Sequence, residues 1–245
     1  MALSALRAKL ERLFTPTLCV ACGDVTEGMH LCQACNSQLE PVKEPICERC
    51  GLPLPNAPDP PPLCAACRKK APKLERARSA VLYTEMATRL IHELKFGRKA
   101  YVARALAERS HELFEAELQA LLALPEPVII VPLPLHWRRF WRRGYNQAAL
   151  LARYALPHHK RLFRLRALAR TRRTKALAQL PASERPRAIS GAFGARPELV
   201  KGASVLLVDD LMTTGATLNE AAKALLKAGA VRVRACTFAR TPLHR

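Results

Sequence analysis

Eight of the chain's nine cysteines fall in four CxxC pairs: Cys19/Cys22, Cys32/Cys35, Cys47/Cys50 and Cys64/Cys67. Two intervening residues let both sulfurs of a tight turn face one ion, and a second such turn completes a tetrahedral site of four thiolates. Gly23 and Gly51 directly follow two of the pairs, where a knuckle turn asks for positive φ. An even cysteine count also allows a disulfide framework, but repeated close pairs on knuckle-like turns favour metal. A redox CxxC usually occurs singly, beside a βαβ pattern. The expectation is two structural zinc ions with every coordination position taken by sulfur, so none is left for water. Spacing is compatible with sites built from neighbouring pairs and with an interleaved arrangement, first with third and second with fourth. His30 is read as a bystander to a full set of thiols, and Cys236, in the alternating run VRVRACTFAR, as a small buried strand residue.

Large apolar residues are few between Thr15 and Lys70. Metal therefore stands in for a hydrophobic core there, each ion contributing about 10 kcal/mol or more of apparent folding energy. A chain of 245 residues accommodates one medium domain beside this small module.

The formal charge of +20 would fall to about +16 with two four-thiolate zinc sites. Such a field attracts phosphates, nucleic acid or anionic surfaces, although a well-solvated arginine-rich surface would carry the same charge. MALSALRAKLERLF sets Leu3, Leu6, Leu10, Leu13 and Phe14 on one helical face, but charges interrupt any apolar run. No stretch reaches spanning length. This helix is expected to dock on the cysteine module, without membrane insertion, in a cytoplasmic protein.

The Pro-rich LPLPNAPDPPP reads as a loop, and APKLERARS as a linker into a different composition. SAVLYTE reads as a strand, ATRLIHELKF as a short helix, and the next helix carries Phe114, Leu118, Leu121 and Leu122 on one face. PVIIVPL and SVLLVDD are continuous apolar runs of strand length, as in a parallel sheet buried on both faces. A helix spans about Asn146 to Tyr154, an arginine-rich, weakly periodic stretch runs from His158 to Arg187, and VRVRACTFA is the last strand. Alternating strands and helices indicate an α/β domain with a mainly parallel sheet.

In SVLLVDDLMTTGATLNEAAKALLKAGA a buried strand ends at Asp209 and Asp210, and a short loop opens a helix. That helix carries Leu218, Ala221, Ala222, Leu225 and Leu226 on one face, and Gly229 is placed to end it. Thr213, Thr214, Gly215, Ala216 and Thr217 sit where helix N-terminal amides can surround a phosphate. The two acids can accept hydrogen bonds from ribose hydroxyls at the edge where open α/β sheets bind ligands. No GxxxxGK[ST] is present, so this is not a Walker A loop. A Thr-rich loop capping a helix beside incidental acids is the plainer reading, and the completeness of the motif argues against it.

This stretch resembles the PRPP-binding motif of type I phosphoribosyltransferases. VPLPLHWRRFWRRGYNQAALLA and IHELKFG resemble the VPVPL…RGFNQ and LKF segments of the ComF family, whose members also carry an N-terminal double zinc ribbon. The resemblance implies a type I phosphoribosyltransferase-like parallel sheet flanked by helices over 73–245, preceded by a helix and double zinc ribbon over 1–72. It places Thr213, Thr214, Gly215, Ala216 and Thr217 on the 5′-phosphate of PRPP and Asp209 and Asp210 on the ribose. Pro132, Leu133, Pro134, Leu135 and His136 would meet the pyrophosphate with Arg143 nearby. Magnesium would bridge ribose hydroxyls and diphosphate, assisting departure of that group from C1.

The chain departs from the family pattern between its arginine-rich segment and GAF. TKALAQL keeps Thr174 and Leu180 but has Leu177 at the family's glutamine position, with Gln179 out of register. ERPRAISGAF keeps Arg185 but has Ala188 in place of asparagine. His92, His136, His158 and His159 read as surface histidines, so no activating base stands out. Three functions follow: phosphoribosyl transfer to an unnamed acceptor, PRPP sensing without chemistry, and DNA handling in natural competence. The last rests on Arg138, Arg139, Arg142, Arg172 and Arg173. Trp137, Phe140, Trp141 and Tyr145 interleave with the arginines of WRRFWRRGYNQ, as stacking platforms for single-stranded DNA do. The alternative is that WRRFWRRG forms the pyrophosphate loop with its aromatics packed inward. The family connection also implies partners among competence helicases and recombination proteins.

Overall fold

The computed structural model describes residues 17–26, 28–54, 56–57, 63–172, 180–181 and 184–242. The helix expected over residues 1–14, together with Arg173, Thr174, Leu177 and Gln179, lies outside them.

The cysteine-rich part opens with a hairpin of β1 (Thr17–Leu18) and β2 (Val25–Thr26), followed by the short helices α1 (Gln33–Asn36) and α2 (Ala65–Lys69). The α/β part runs β3 (Arg76–Leu82), α3 (Glu85–Phe96), α4 (Val102–Leu122), β4 (Val128–Pro132), α5 (Trp137–Arg143) and α6 (Gln147–Ala155). It continues with β5 (Leu168–Arg170), α7 (Arg185–Ile189), β6 (Phe193–Ala195), α8 (Pro197–Val200), β7 (Ser204–Met212), α9 (Ala216–Lys227) and β8 (Arg232–Arg240). The main sheet has the order β3-β8-β7-β4, and every pairing in it is parallel.

Side-chain alternation divides this sheet into two faces. Ile130, Leu206, Val208 and Phe238 pack with Leu90, Leu106, Phe114 and Leu151 of α3, α4 and α6. Ile129, Val131, Val205 and Leu207 pack with Leu218, Ala221, Ala222 and Leu225 of α9. Both faces are covered, which is why β4 and β7 read as unbroken apolar runs. Phe114, Leu118 and Leu121 are buried as their spacing predicts, but Leu122 is exposed because α4 ends there and turns away from the core. Cys236 is a fully buried strand residue of β8.

Asn146 caps α6, its Oδ1 accepting from the amides of Ala148 (3.0 Å) and Ala149 (3.3 Å). The arginine-rich stretch yields a feature its weak periodicity conceals. β5 pairs antiparallel with β6 in a separate ribbon, Arg170 opposite Phe193.

The cysteine clusters attach differently. The first docks on helices: Arg89 donates to Ala21 O (2.6 Å), and the His30 amide donates to Glu108 (3.0 Å). The second is fastened to the sheet. Ala77 N donates to Arg49 O (2.8 Å), Arg78 to Glu48 O (2.9 Å) and Arg240 to Cys50 O (2.5 Å). Between them, Leu82 N donates to Glu40 O (2.8 Å) and Val42 N to Ala80 O (3.2 Å), covering the outer edge of β3.

Candidate functional site

The cysteines group as neighbours: Cys19, Cys22, Cys32 and Cys35 form one set, Cys47, Cys50, Cys64 and Cys67 the other, with ligand atoms within 4.8 Å of one another in each. The interleaved alternative is thereby set aside. Zn–S bonds of about 2.3 Å in a tetrahedron require sulfurs about 3.8 Å apart. Cys22 and Cys32 lie 3.7 Å apart and Cys50 and Cys64 3.6 Å, so both sets fit zinc. His30 instead holds Glu108, Nδ1 to Oε1 at 2.5 Å, and is no ligand. One thiol in each set is predisposed to ionise. Burial alone would raise Cys19 and Cys47, but backbone N–H donors of neighbouring residues outweigh it and bring them to about 6 and about 7. Gly23 and Gly51 both have positive φ. At Gly51 a side chain is also barred by space, because a Cβ would lie 2.7 Å from Ala77 O.

At the C-terminal edge of the sheet, Asp209 and Asp210 fall on opposite faces of β7. Asp210 is 1% exposed, on the face covered by α3, α4 and α6. Lys95 of α3 reaches it at 2.5 Å, and Gln147 of α6 donates Nε2–H to it at 3.1 Å. Arg143 in turn donates to Gln147 Oε1. Burial opposes ionisation of Asp210, but the Lys95 charge and these hydrogen bonds overcome it and hold its pKa below the ordinary value. Asp209 takes the opposite course: burial, then the neighbouring Asp210 charge, push it well above its ordinary value. Asp210 therefore ionises before Asp209 in the folded protein. Arg170 lies on the Asp209 side, stacked 5.5 Å over Phe193, and burial lowers its pKa to about 10.

β7 then enters the loop Thr213–Gly215, and Gly215 takes φ 74 as it caps α9. The Ala216 amide turns to Thr214 Oγ1 (3.4 Å). The first turn of a helix leaves amides without intrahelical partners, and Thr213, Thr214 and Gly215 lead from β7 into that first turn at Ala216 and Thr217. Across the edge, Pro132 ends β4 and Leu133 N donates to Val208 O (2.8 Å). Asn146 Nδ2 donates to Leu133 O (3.1 Å), so Pro134 and Leu135 project from a fixed turn.

His136 is buried rather than at the surface, because its Nδ1 caps α5 by accepting from the Arg138 amide at 3.3 Å. His159 is held by Glu115 (2.9 Å). WRRFWRRG is a short helix and not an inward-packed loop: Trp137 is 59% exposed and Trp141 80%. Arg138 and Arg142 are exposed on it, and Arg138 lies 5.0 Å over the Trp137 ring. Arg139 faces the Arg170 side, as its charge contributes to lowering the Arg170 pKa. Arg172 points elsewhere, donating to Ala188 O (3.1 Å) and Ser190 O, so it braces α7. Within LKF and RGYNQ the sequence assigns tasks to Arg143 and Tyr145 but none to Lys95 or Gln147. Lys95 and Gln147, the two partners of Asp210, come from those segments.

A parallel sheet flanked by helices, with an acid pair before a Thr-rich loop that opens a helix, joined to two four-cysteine clusters, defines a class: a phosphoribosyltransferase-like domain carrying a double zinc ribbon. Residues 10–68 match the family model described as a double zinc ribbon domain, and residues 151–244 the phosphoribosyl transferase domain. The chain is 35% identical over 234 residues to the DNA utilization protein YhgH of Salmonella typhimurium, covering 94% of this chain and 99% of that one. It is 31% identical to Competence protein F of Haemophilus influenzae (86% and 90% covered) and 29% to Competence protein ComFC of Bacillus subtilis (81% and 79%). The chain belongs to the ComF family of competence and DNA-utilization proteins.

Proposed function

We propose that the protein binds PRPP at the C-terminal edge of the sheet and acts in the handling of incoming DNA. The observation that carries this is the direct succession of a buried, differently ionised acid pair and an amide-rich loop turning through Gly215 into α9. Thr213, Thr214, Gly215, Ala216 and Thr217 hold the 5′-phosphate, and Asp209 and Asp210 accept from the ribose hydroxyls. The Pro132–His136 turn and Arg143 face the diphosphate. Magnesium, when bound with PRPP, supplies charge neutralisation for departure of the diphosphate. Lys95 holds the same carboxylate in the free protein, so ribose hydroxyls would compete with its ammonium for Asp210. Among the described residues no histidine is placed as an activating base, which favours binding over turnover. In the cytoplasm, reducing conditions would keep both clusters competent for metal.

Calorimetric titration of the zinc-loaded protein with PRPP, with and without magnesium, tests the reading. Magnesium-dependent binding that disappears in Asp210→Asn supports it, and no binding by a folded, metallated sample refutes it. Pyrophosphate release across a panel of acceptors separates transfer from sensing. The free protein should also show a pH signature. Folding raises the pKa of Asp209 well above the 3.8 of the unfolded chain, so stability declines as pH rises from there through the raised folded value. Asp209→Asn should flatten that dependence in thermal melts and raise the neutral-pH Tm, by about 2–4 °C per kcal/mol relieved. An unchanged pH profile would contradict the proton assignment.

A second reading is favoured by α5, where exposed Trp137 and Trp141 alternate with arginines beside the site. Single-stranded DNA stacking there would bind with steep salt dependence. Competence helicases or recombination proteins are the partners this reading implies. Indifference of the protein to single strands at low salt would remove it.

A further inference from the structure

A cavity of about 550 Å³ joins the phosphate loop to the second cysteine cluster. Residues 212–216 line one side and the Cys50–Cys64–Cys67 turn the other, and neither Asp209 nor Asp210 reaches it. The loop therefore borders the cavity, and the acids stand outside its lining. A ribose 5-phosphate seated between acids and loop ends at the loop and leaves the cavity free. The cavity has the composition of a second binding compartment. Arg49, Lys70 and Arg185 give it a cationic rim, and Leu52, Leu74 and Ile189 an apolar floor. Glu220 also lines it, but that carboxylate is already engaged by the Gly191 amide (2.8 Å). Its volume lies within the range of about 300–1,000 Å³ usual for small-ligand sites.

We infer that the second zinc ribbon is a wall of the ligand site, and that this cavity receives the distal half of a diphosphate-linked dinucleotide whose ribose 5′-phosphate occupies the loop. The distal phosphate meets Arg49, Lys70 and Arg185, and the base lies on Leu52, Leu74 and Ile189. The inference rests on the loop being a ribose-phosphate cradle and extends it to a ligand class esterified beyond that phosphate. It also gives the ribbon a task that its cysteines alone do not explain. A cavity sized for one nucleotide favours a free dinucleotide over a longer strand.

The test is calorimetry on the zinc-loaded chain with ribose 5-phosphate, PRPP, ADP-ribose and a short oligoribonucleotide. ADP-ribose should bind at least about tenfold more tightly than ribose 5-phosphate. Arg49→Ala should remove most of that advantage while leaving ribose 5-phosphate affinity unchanged. Arg185→Ala, which lies outside the ribbon, should do the same without any change in zinc content. Equal affinity for the two ligands, or equal losses for both in the variants, would overturn the inference while PRPP binding left the cradle standing. Failure of PRPP and ribose 5-phosphate alike would remove the cradle and the inference together. Tighter binding of the oligoribonucleotide than of ADP-ribose would overturn the dinucleotide assignment.

Discussion

The two cysteine clusters share chemistry and spacing yet live in different surroundings. The first carries an exposed Cys22 and leans on α3 and α4 through Arg89 and Glu108. The second has three buried cysteines and a buried arginine beside it. Arg240, 3% exposed, donates to Cys50 O; burial lowers its pKa, and the thiolate charges of Cys50, Cys64 and Cys47 offset part of that. Arg240 is also the register partner of Met212, and Thr241 N donates to Met212 O (3.0 Å), directly before the Thr213–Gly215 loop. Identical metal modules can thus differ in role according to whether their second neighbours are helix surface or sheet core.

The strongest way to break this comparison is to remove a ligand from each cluster. Cys64→Ser should lose one zinc and reduce PRPP affinity by at least about tenfold, whereas Cys22→Ser should lose one zinc with PRPP affinity nearly unchanged. Metal analysis alongside calorimetry reads both, and equal effects on PRPP would erase the distinction. Next in size is Arg240→Met, which strips the countercharge from a buried anionic cluster. Breaking a buried pair typically destabilises by about 3–5 kcal/mol. Thermal melts should show that loss, and chelator should then extract the second zinc before the first. The smallest effect belongs to Glu108→Gln at the partly exposed contact with His30. A change within about 1 kcal/mol is expected, and a larger one would mean the first cluster is more deeply integrated than its exposure implies.

Legibility in the sequence followed the same divide. The CxxC pairs, the unbroken strands and the DD…TTGAT succession each carry their pattern in consecutive residues, so the clusters, the sheet and the strand–loop–helix turn could be read directly. Lys95 and Gln147 could not be assigned that way. Their meaning depends on α3 and α6 bringing them to Asp210 from 115 and 63 positions away. Arg240 looked like one more arginine in a basic chain, because its burial arises only when Cys50 is laid across the end of β8. The exposure of Trp137 and Trp141 was equally hidden, since an aromatic-rich heptapeptide serves a core or a surface with the same letters. β5 escaped notice because three residues paired with a distant strand leave no period to detect.

The pairing of β3 carries a consequence for how the molecule is made. Its neighbour in the sheet is β8, whose residues are synthesised about 158 positions later, as the pair Arg76↔Arg234 shows. During that interval the described residues that satisfy the β3 backbone are those around Glu40–Val42 and Arg49. Zinc capture by residues 19–67 would thus act as a placeholder, shielding one edge of an aggregation-prone strand until its permanent partner leaves the ribosome. A nascent chain starved of zinc would expose both edges of β3 for the whole of that wait.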